Sequence, residues 1–386
     1  MSNSRARSFA ITLRGMLKGA YPRRLTDPLQ SVARWSSNEA NDWYSRTGWL
    51  MGCNFAPSTA GNQLEMWQVE TWDPGTIDTE LGWAADLGMN SVRVFLHDLM
   101  WAHEGEAFLD RVDEFLAIAD SHGITTMLVL FDGVWHPNPK LGLQSDPKVG
   151  VHNSMWLQSP GAEILSDKSR WGDLKEYVQA VVGRFGSDGR VDVWDLFNEP
   201  DQTNAISYPS LEITNKTAVV DDLLNRIFDW CSELDPIQPL TAGVFLGING
   251  APEKVSKLNR TMLSRSDVIS FHSYSAEKKL VGTIEHLAKY DRPLLCTEWM
   301  ARTLGSPVQL IDVLADKKVS AWSWGLVDGR SQTKYSWTSW VKRPTEDSDK
   351  WFHDLLHPDG TPYRASEAQK LRATAQRMGI PPRPGT

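Results

Sequence analysis

Cysteine is scarce in this chain. Its 386 residues hold three, Cys53, Cys231 and Cys296, an odd number, widely separated and each in an apolar setting. They read as buried free thiols, which excludes a disulfide framework and a cysteine zinc site. No run approaches the roughly 18 apolar residues of a membrane-crossing helix. Near the start, Arg5, Arg7, Arg14 and Lys18 interrupt any apolar segment, so no secretory leader is expected and a cytoplasmic location is the default. Excess positive charge is missing as well. Forty basic against 48 acidic residues give −8, which speaks against a nucleic-acid or anionic-membrane partner. There is no Gly-x-Ser-x-Gly elbow for acyl transfer and no phosphate-loop lysine. No linker or charge block divides the middle of the chain. One domain is therefore expected over residues 46–386, with residues 1–45 as a basic, weakly patterned extension: an amphipathic helix lying on the domain, or a mobile arm.

Tryptophan, by contrast, is abundant, with 18 residues. Large aromatics belong in cores, and their ring faces also suit the C–H faces of sugars. Apolar runs bounded by Gly, Pro and Asn recur through the chain, centred near residues 51, 93, 128, 194, 242, 270, 295 and 322. Each is followed by a helical pattern or a loop. The helices are expected near 77–87, 106–121, 173–185, 217–234, 252–262, 281–289 and 307–317. Eight strand–helix units predict a parallel sheet closed into a (β/α)8 barrel. The longest irregular stretch, Asp132 to Lys168, follows the third strand, and a loop of that length in a compact domain is usually functional.

The polar residues that carry chemistry sit at strand ends, on the face where such barrels keep their sites. Val191 to Phe197 is a buried-strand pattern that ends in Asn198-Glu199-Pro200, where Pro200 stops the ladder. Leu294 to Trp299 delivers Glu298 in the same way. Arg93 lies inside the second strand, where an unpaired charge would be costly, so it must meet an anion or several acceptors. His272 and Tyr274 share a face at the end of the sixth strand, and Trp324 ends the eighth. Two carboxylates delivered at one mouth are the equipment for cleaving a glycosidic bond.

This ordered set, Arg93, Asn198-Glu199, His272-x-Tyr274, Glu298 and Trp324, resembles the active site of glycoside hydrolase clan A. The likeness is to the family 5-like retaining β-glycosidases, including cellulase-like and xylanase-like proteins, and runs from Trp49 to Trp324. It implies Glu199 as acid/base with a raised pKa, and Glu298 as nucleophile kept anionic by Arg93 and Tyr274. It further implies Asn198 on the sugar 2-hydroxyl, Trp324 as floor of the subsite for the cleaved sugar, and His272 orienting the acid/base or a hydroxyl. It implies a carbohydrate substrate, no metal and no cofactor. One departure stands out. Family 5 members often carry a substrate-binding His at the end of the third strand, where this chain reads Phe131-Asp132-Gly133-Val134-Trp135-His136. Either Asp132 or His136 serves there, or neither.

Among the tryptophans, Trp135, Trp156 and Trp299 are the candidates for the mouth beside Glu298, at least two of them lining it. The run Trp337 to Trp340 is a candidate outer sugar-binding loop or rim packing. His353 and His357 fall on one face if that segment is helical, a weak metal pattern without the glutamate of zinc proteases. A transglycosylase would use the same residues, and a non-catalytic sugar-binding barrel would lack a glutamate that this chain keeps. The long third loop and the extension beyond Trp324 are placed to wall off one end of a cleft. That leans towards an exo-acting or short-oligosaccharide enzyme.

Overall fold

The computed structural model describes residues 34–245, 255–344 and 350–382. Eight strands run β1 Met51–Phe55, β2 Ser91–Phe95, β3 Thr125–Val129, β4 Val191–Asp195, β5 Leu240–Thr241, β6 Ile269–Ser273, β7 Leu294–Trp299 and β8 Ser320–Trp324. All the strand pairs are parallel, in the order β5-β4-β3-β2-β1-β8-β7-β6. A single parallel bridge, Val244 to Phe271, joins the two ends of that order. This is the expected (β/α)8 barrel. The closure is thinnest at β5, which holds two residues, because only Leu240 and Thr241 pair with β4.

The helices form for ordinary reasons. Asp73 caps the helix Pro74–Asp86, accepting from Thr76 N, with Pro74 opening the first turn. Glu106–Ser121 buries Phe108, Leu109, Val112, Phe115, Leu116 and Ala119, a stripe at helical spacing that faces the sheet. Lys257–Arg265 lies several residues later than expected, capped by Ser256, and residues 252–254 of the expected helix are outside the described part. The 307–317 region is a 3-10 turn running into the helix Ile311–Asp316. No helix among the described residues is long and apolar enough to cross a membrane.

Two layers of core follow from strand alternation. Outward residues such as Val92, Val94, Trp194 and Cys296 pack beneath the helices in one large cluster. Inward residues at the amino-terminal end, Leu50, Met127, Val193, Val268, Leu295 and Trp322, form a second cluster closed by Ala40 and Trp43. Those last two belong to the helix Ser37–Thr47, which has a full capping box at Ser36 and Glu39. The extension is thus, from residue 34, a helix plugging the barrel floor, and residue 45 falls inside that helix. Residues 1–33 lie outside the described part.

Candidate active site

The carboxyl-terminal mouth gathers a cluster of buried charged residues. Arg93, fully buried on β2, uses every face of its guanidinium. Nε and Nη2 donate to Asp195 Oδ2 at 3.0 and 2.8 Å, and Nη1 donates to Asn54 Oδ1 at 2.7 Å and Glu298 Oε1 at 3.1 Å. Nη2 also donates to Asn198 Oδ1 at 2.7 Å. Burial opposes the charge, but the carboxylates of Asp195 and Glu298 outweigh it and the guanidinium is held more firmly charged than usual. Four strand ends therefore meet at one cation.

Glu298 reaches this cation through an irregularity. Between Cys296 and Trp299 the β7 register slips against both neighbours, so His272 pairs with Glu298 while Phe271 pairs with Cys296. The extra residue, Thr297, re-aims the strand, and such bulges commonly redirect side chains beside active sites. Without it strict alternation would turn Glu298 away from the face that Leu295 occupies. Tyr274 Oη donates to Glu298 Oε2 at 2.6 Å. Glu199 sits four residues beyond β4, in the left-handed region at φ 41. Its backbone is pressed by Gly133, where a Cβ would come within 2.3 Å of the Glu199 carbonyl oxygen. Only glycine fits there.

His272 stands between the two carboxyls, its Nδ1 2.8 Å from Glu199 Oε1 and 3.5 Å from Glu298 Oε2. One oxygen of Glu199, one of Glu298 and a nitrogen of His272 lie within 4.8 Å of one another. Burial pushes each carboxyl up to about 7. Burial also lowers His272 to about 4, so the ring is neutral near pH 7. Of the two acids only Glu298 has both a guanidinium and a hydroxyl donating to it, which favours its ionised form over that of Glu199. Three such ligands can hold a cation, but Arg93 and Tyr274 already engage the two oxygens of Glu298.

The other candidates divide. Asn198 Nδ2 donates to Asp132 Oδ1 at 2.9 Å, so its amide is oriented from both sides, by Asp132 and by Arg93. Asp132 is fully buried and also accepts from Trp156 Nε1 at 2.7 Å, from Gln63 Nε2 and from Val134 N. It orients Asn198 from beneath. His136 packs its ring on Tyr208 with centroids 4.6 Å apart and contacts neither glutamate. Trp324 and Trp156 meet edge to face at 5.5 Å, and each meets Phe95. Trp135, half-buried at the rim, stacks on Trp340 at 5.7 Å. Trp299 does not join them: it points outward from β7 into the layer beneath the helices, buried in the large core cluster.

One further expectation changes. Residues 353–357 form no helix, so the histidines share no helical face. His353 Nδ1 lies 2.7 Å from the Met300 carbonyl, while His357 packs on Trp351. Trp337, in the 3-10 turn Trp337–Trp340, packs edge-on against Tyr274 at 4.8 Å. Sequence reasoning missed Asn54 and Asp195, the two partners that complete the shell of Arg93. The signal was available: an acid inside the apolar run of β4, and an amide at the end of β1.

No protein-family model matches the sequence, and no curated protein matches it. Solved structures do match by shape. An exo-β-1,4-mannosidase from Opitutaceae bacterium strain TAV5 superposes with a TM-score of 0.59 at 16% identity, over 91% of this chain and 63% of that one. This chain thus spans less than two thirds of that protein. A GH5_18 protein from Bifidobacterium longum gives 0.57 at 15%, covering 87% and 81%. An endo-1,4-β-mannanase from Rhizomucor miehei gives 0.55 at 14%, covering 94% and 99%. At such identities the likeness establishes the fold, a (β/α)8 barrel shared with these proteins.

Proposed function

We propose that this chain is a retaining β-glycoside hydrolase acting by double displacement. The observation that carries the reading is the approach of Glu199 and Glu298, whose oxygens come within 4.8 Å of each other around His272. Retaining enzymes keep their carboxyls about 5–5.5 Å apart, whereas inverting ones leave roughly 6.5–9.5 Å for a water. The three solved structures above carry names of β-mannan enzymes or of GH5_18, which supports a β-linked carbohydrate as substrate and favours manno-configured sugars for the first trials.

In this reading Glu298, anionic beside Arg93 and Tyr274, attacks the anomeric carbon. Glu199, its proton held by burial, protonates the departing oxygen. The glycosyl–Glu298 ester is then hydrolysed by a water that Glu199 deprotonates. Asn198, its amide oxygen tied to Arg93 and its nitrogen to Asp132, is set to bind a sugar hydroxyl beside the reacting carbon. Trp324 offers the ring for the sugar face. Hydrolysis of aryl β-mannosides and β-glucosides, followed by proton NMR, tests this. A β-anomer should form first and then mutarotate. A first-formed α-anomer, or no hydrolysis of any β-glycoside, contradicts it.

A further inference from the structure

We infer that the site is blind on the glycone side, so that it removes single sugars from the non-reducing end. This rests on the glycosidase reading and goes beyond it to the mode of cleavage. The loop after β3 and the segment after β8 are bound to each other across the mouth. Asn153 N donates to the Ser331 carbonyl at 2.9 Å, and His152 N donates to Ser339 Oγ at 2.9 Å. Gln332 spans both directions: its Oε1 accepts from Gly150 N at 2.8 Å and its Nε2 donates to the Lys148 carbonyl at 2.9 Å. Trp340 Nε1 donates to the His152 carbonyl at 2.9 Å.

The sheet order gives this clasp its direction. Between β3 and β8 lie β2 and β1, so a bridge from the one loop to the other crosses the arc above β1 and β2. The loop after β1 is sewn into the same wall, with Arg330 N donating to the Ser58 carbonyl at 2.9 Å and the Arg330 side chain paired with Glu65 at 3.0 Å. Glu199, which must stand beside the leaving group, follows β4 on the other side of the mouth. Beneath the clasp only a small crevice of about 20 Å³ remains, lined by Asn54, Phe95, Trp156, Trp324, Ser331 and Thr333. It adjoins the carboxylates through Asn54 and Trp324, so the wall stands directly against the site and leaves no second sugar-sized space behind it. A sugar ring held at the carboxylates therefore stops against these side chains. A second, attached through the far hydroxyls of the first, meets Trp156, Phe95 and the clasp.

The test compares 4-nitrophenyl β-mannoside and β-glucoside with 4-nitrophenyl β-mannobioside and β-cellobioside, alongside reducing-end-labelled β-1,4 oligosaccharides of each sugar. The monosaccharide glycosides should release nitrophenol at once. The disaccharide glycosides should release it only after a lag, with initial rates lower by a factor on the order of 10² or more, since steric exclusion from a closed pocket discriminates strongly. Labelled oligosaccharides should shorten one unit at a time. Immediate nitrophenol from the disaccharide glycosides, or internal cuts, overturns the inference while leaving the glycosidase reading intact. A protein that cleaves none of the panel removes both. Gln332→Gly supplies a second arm: the left-handed φ of 54 at this position suits glycine, and the change deletes its side-chain ties to Lys148, Gly150 and Val151. It should shorten the lag and leave the monosaccharide rate unchanged. An unchanged lag with a slower monosaccharide rate overturns the clasp's role.

Discussion

The two ends of this barrel bury their side chains on opposite terms. At the amino-terminal floor, Trp43 and Ala40 cover Leu50, Met127, Val193, Leu295 and Trp322, a mainly apolar plug in which Trp322 Nε1 donates to Ser91 Oγ at 3.1 Å beside the buried Asp192 and the other polar ties lie at the rim. There Tyr44 Oη donates to the Lys318 carbonyl at 2.8 Å and Arg34 Nε to the Ser266 carbonyl at 2.7 Å. At the carboxyl-terminal mouth the buried residues include Arg93, Asp132, Asp195, Glu199, His272 and Glu298. Apolar burial at the floor stabilises in proportion to area. Ionisable burial at the mouth is unfavourable unless each group is paired. The difference shows where the fold is held and where stability is spent on chemistry.

Each end of the barrel can be perturbed by itself. Arg93→Met should do most damage, leaving two buried carboxylates without their shared donor. Removing one partner of a buried ion pair costs about 3–5 kcal/mol, so denaturant unfolding should show that loss together with near-abolished hydrolysis. Trp43→Ala should also destabilise, by about 3–5 kcal/mol for a large core aromatic. Its specific activity per folded molecule should stay at the wild-type level, because the helix Ser37–Thr47 touches only the floor.

Glu199→Gln should act the other way on stability. With its folded pKa raised from 4.5 to about 7, the native Glu199 binds more proton than the unfolded chain between those values. Its contribution is therefore fully present below 4.5 and lost as pH rises through about 7. The amide should raise stability by an amount on the order of 1–3 kcal/mol at pH 8, with little change at pH 4, while abolishing acid catalysis. Melting curves at the two pH values check it. Equal effects at both would remove Glu199 from the groups held protonated.

The smallest expected effect is Tyr274→Phe. The hydroxyl stabilises the ionised form of Glu298, so losing it raises that pKa. The acid limb of kcat/KM should move up by about one pH unit, the equivalent of 1.4 kcal/mol for a hydrogen bond to a charged group. The basic limb, set by Glu199, should not move. A shift of the basic limb alone would reverse the two roles.

Much of the mouth was legible in the chain because strand ends announce themselves. An apolar run closing on Asn198-Glu199-Pro200, and another on Glu298, place acids at one face once the barrel is counted out. The bulge at Thr297 was not legible, since an extra residue in a strand leaves no mark on composition, although it sets the aim of Glu298. Trp299 was misread for the same reason: adjacency to Glu298 in sequence puts it on the opposite side of the strand. His353 and His357 looked helical by spacing, yet that segment is extended by bridges, with Val327 pairing Leu356 and Leu356 pairing Pro362. The clasp depends on contacts between residues up to 188 apart in the chain, which no local pattern encodes.

If Glu199 and Glu298 hold different roles, azide rescue of their alanine variants must separate them. Glu298→Ala on 4-nitrophenyl β-mannoside or β-glucoside should lose turnover, and azide should restore it with an α-glycosyl azide as product. Glu199→Ala should still form the glycosyl–Glu298 ester from this activated substrate, and azide should give the β-glycosyl azide. With poor leaving groups Glu199→Ala should fall by a factor on the order of 10²–10⁴, the usual contribution of a general acid. The opposite pairing of variant and anomer, read by proton NMR, would contradict the account.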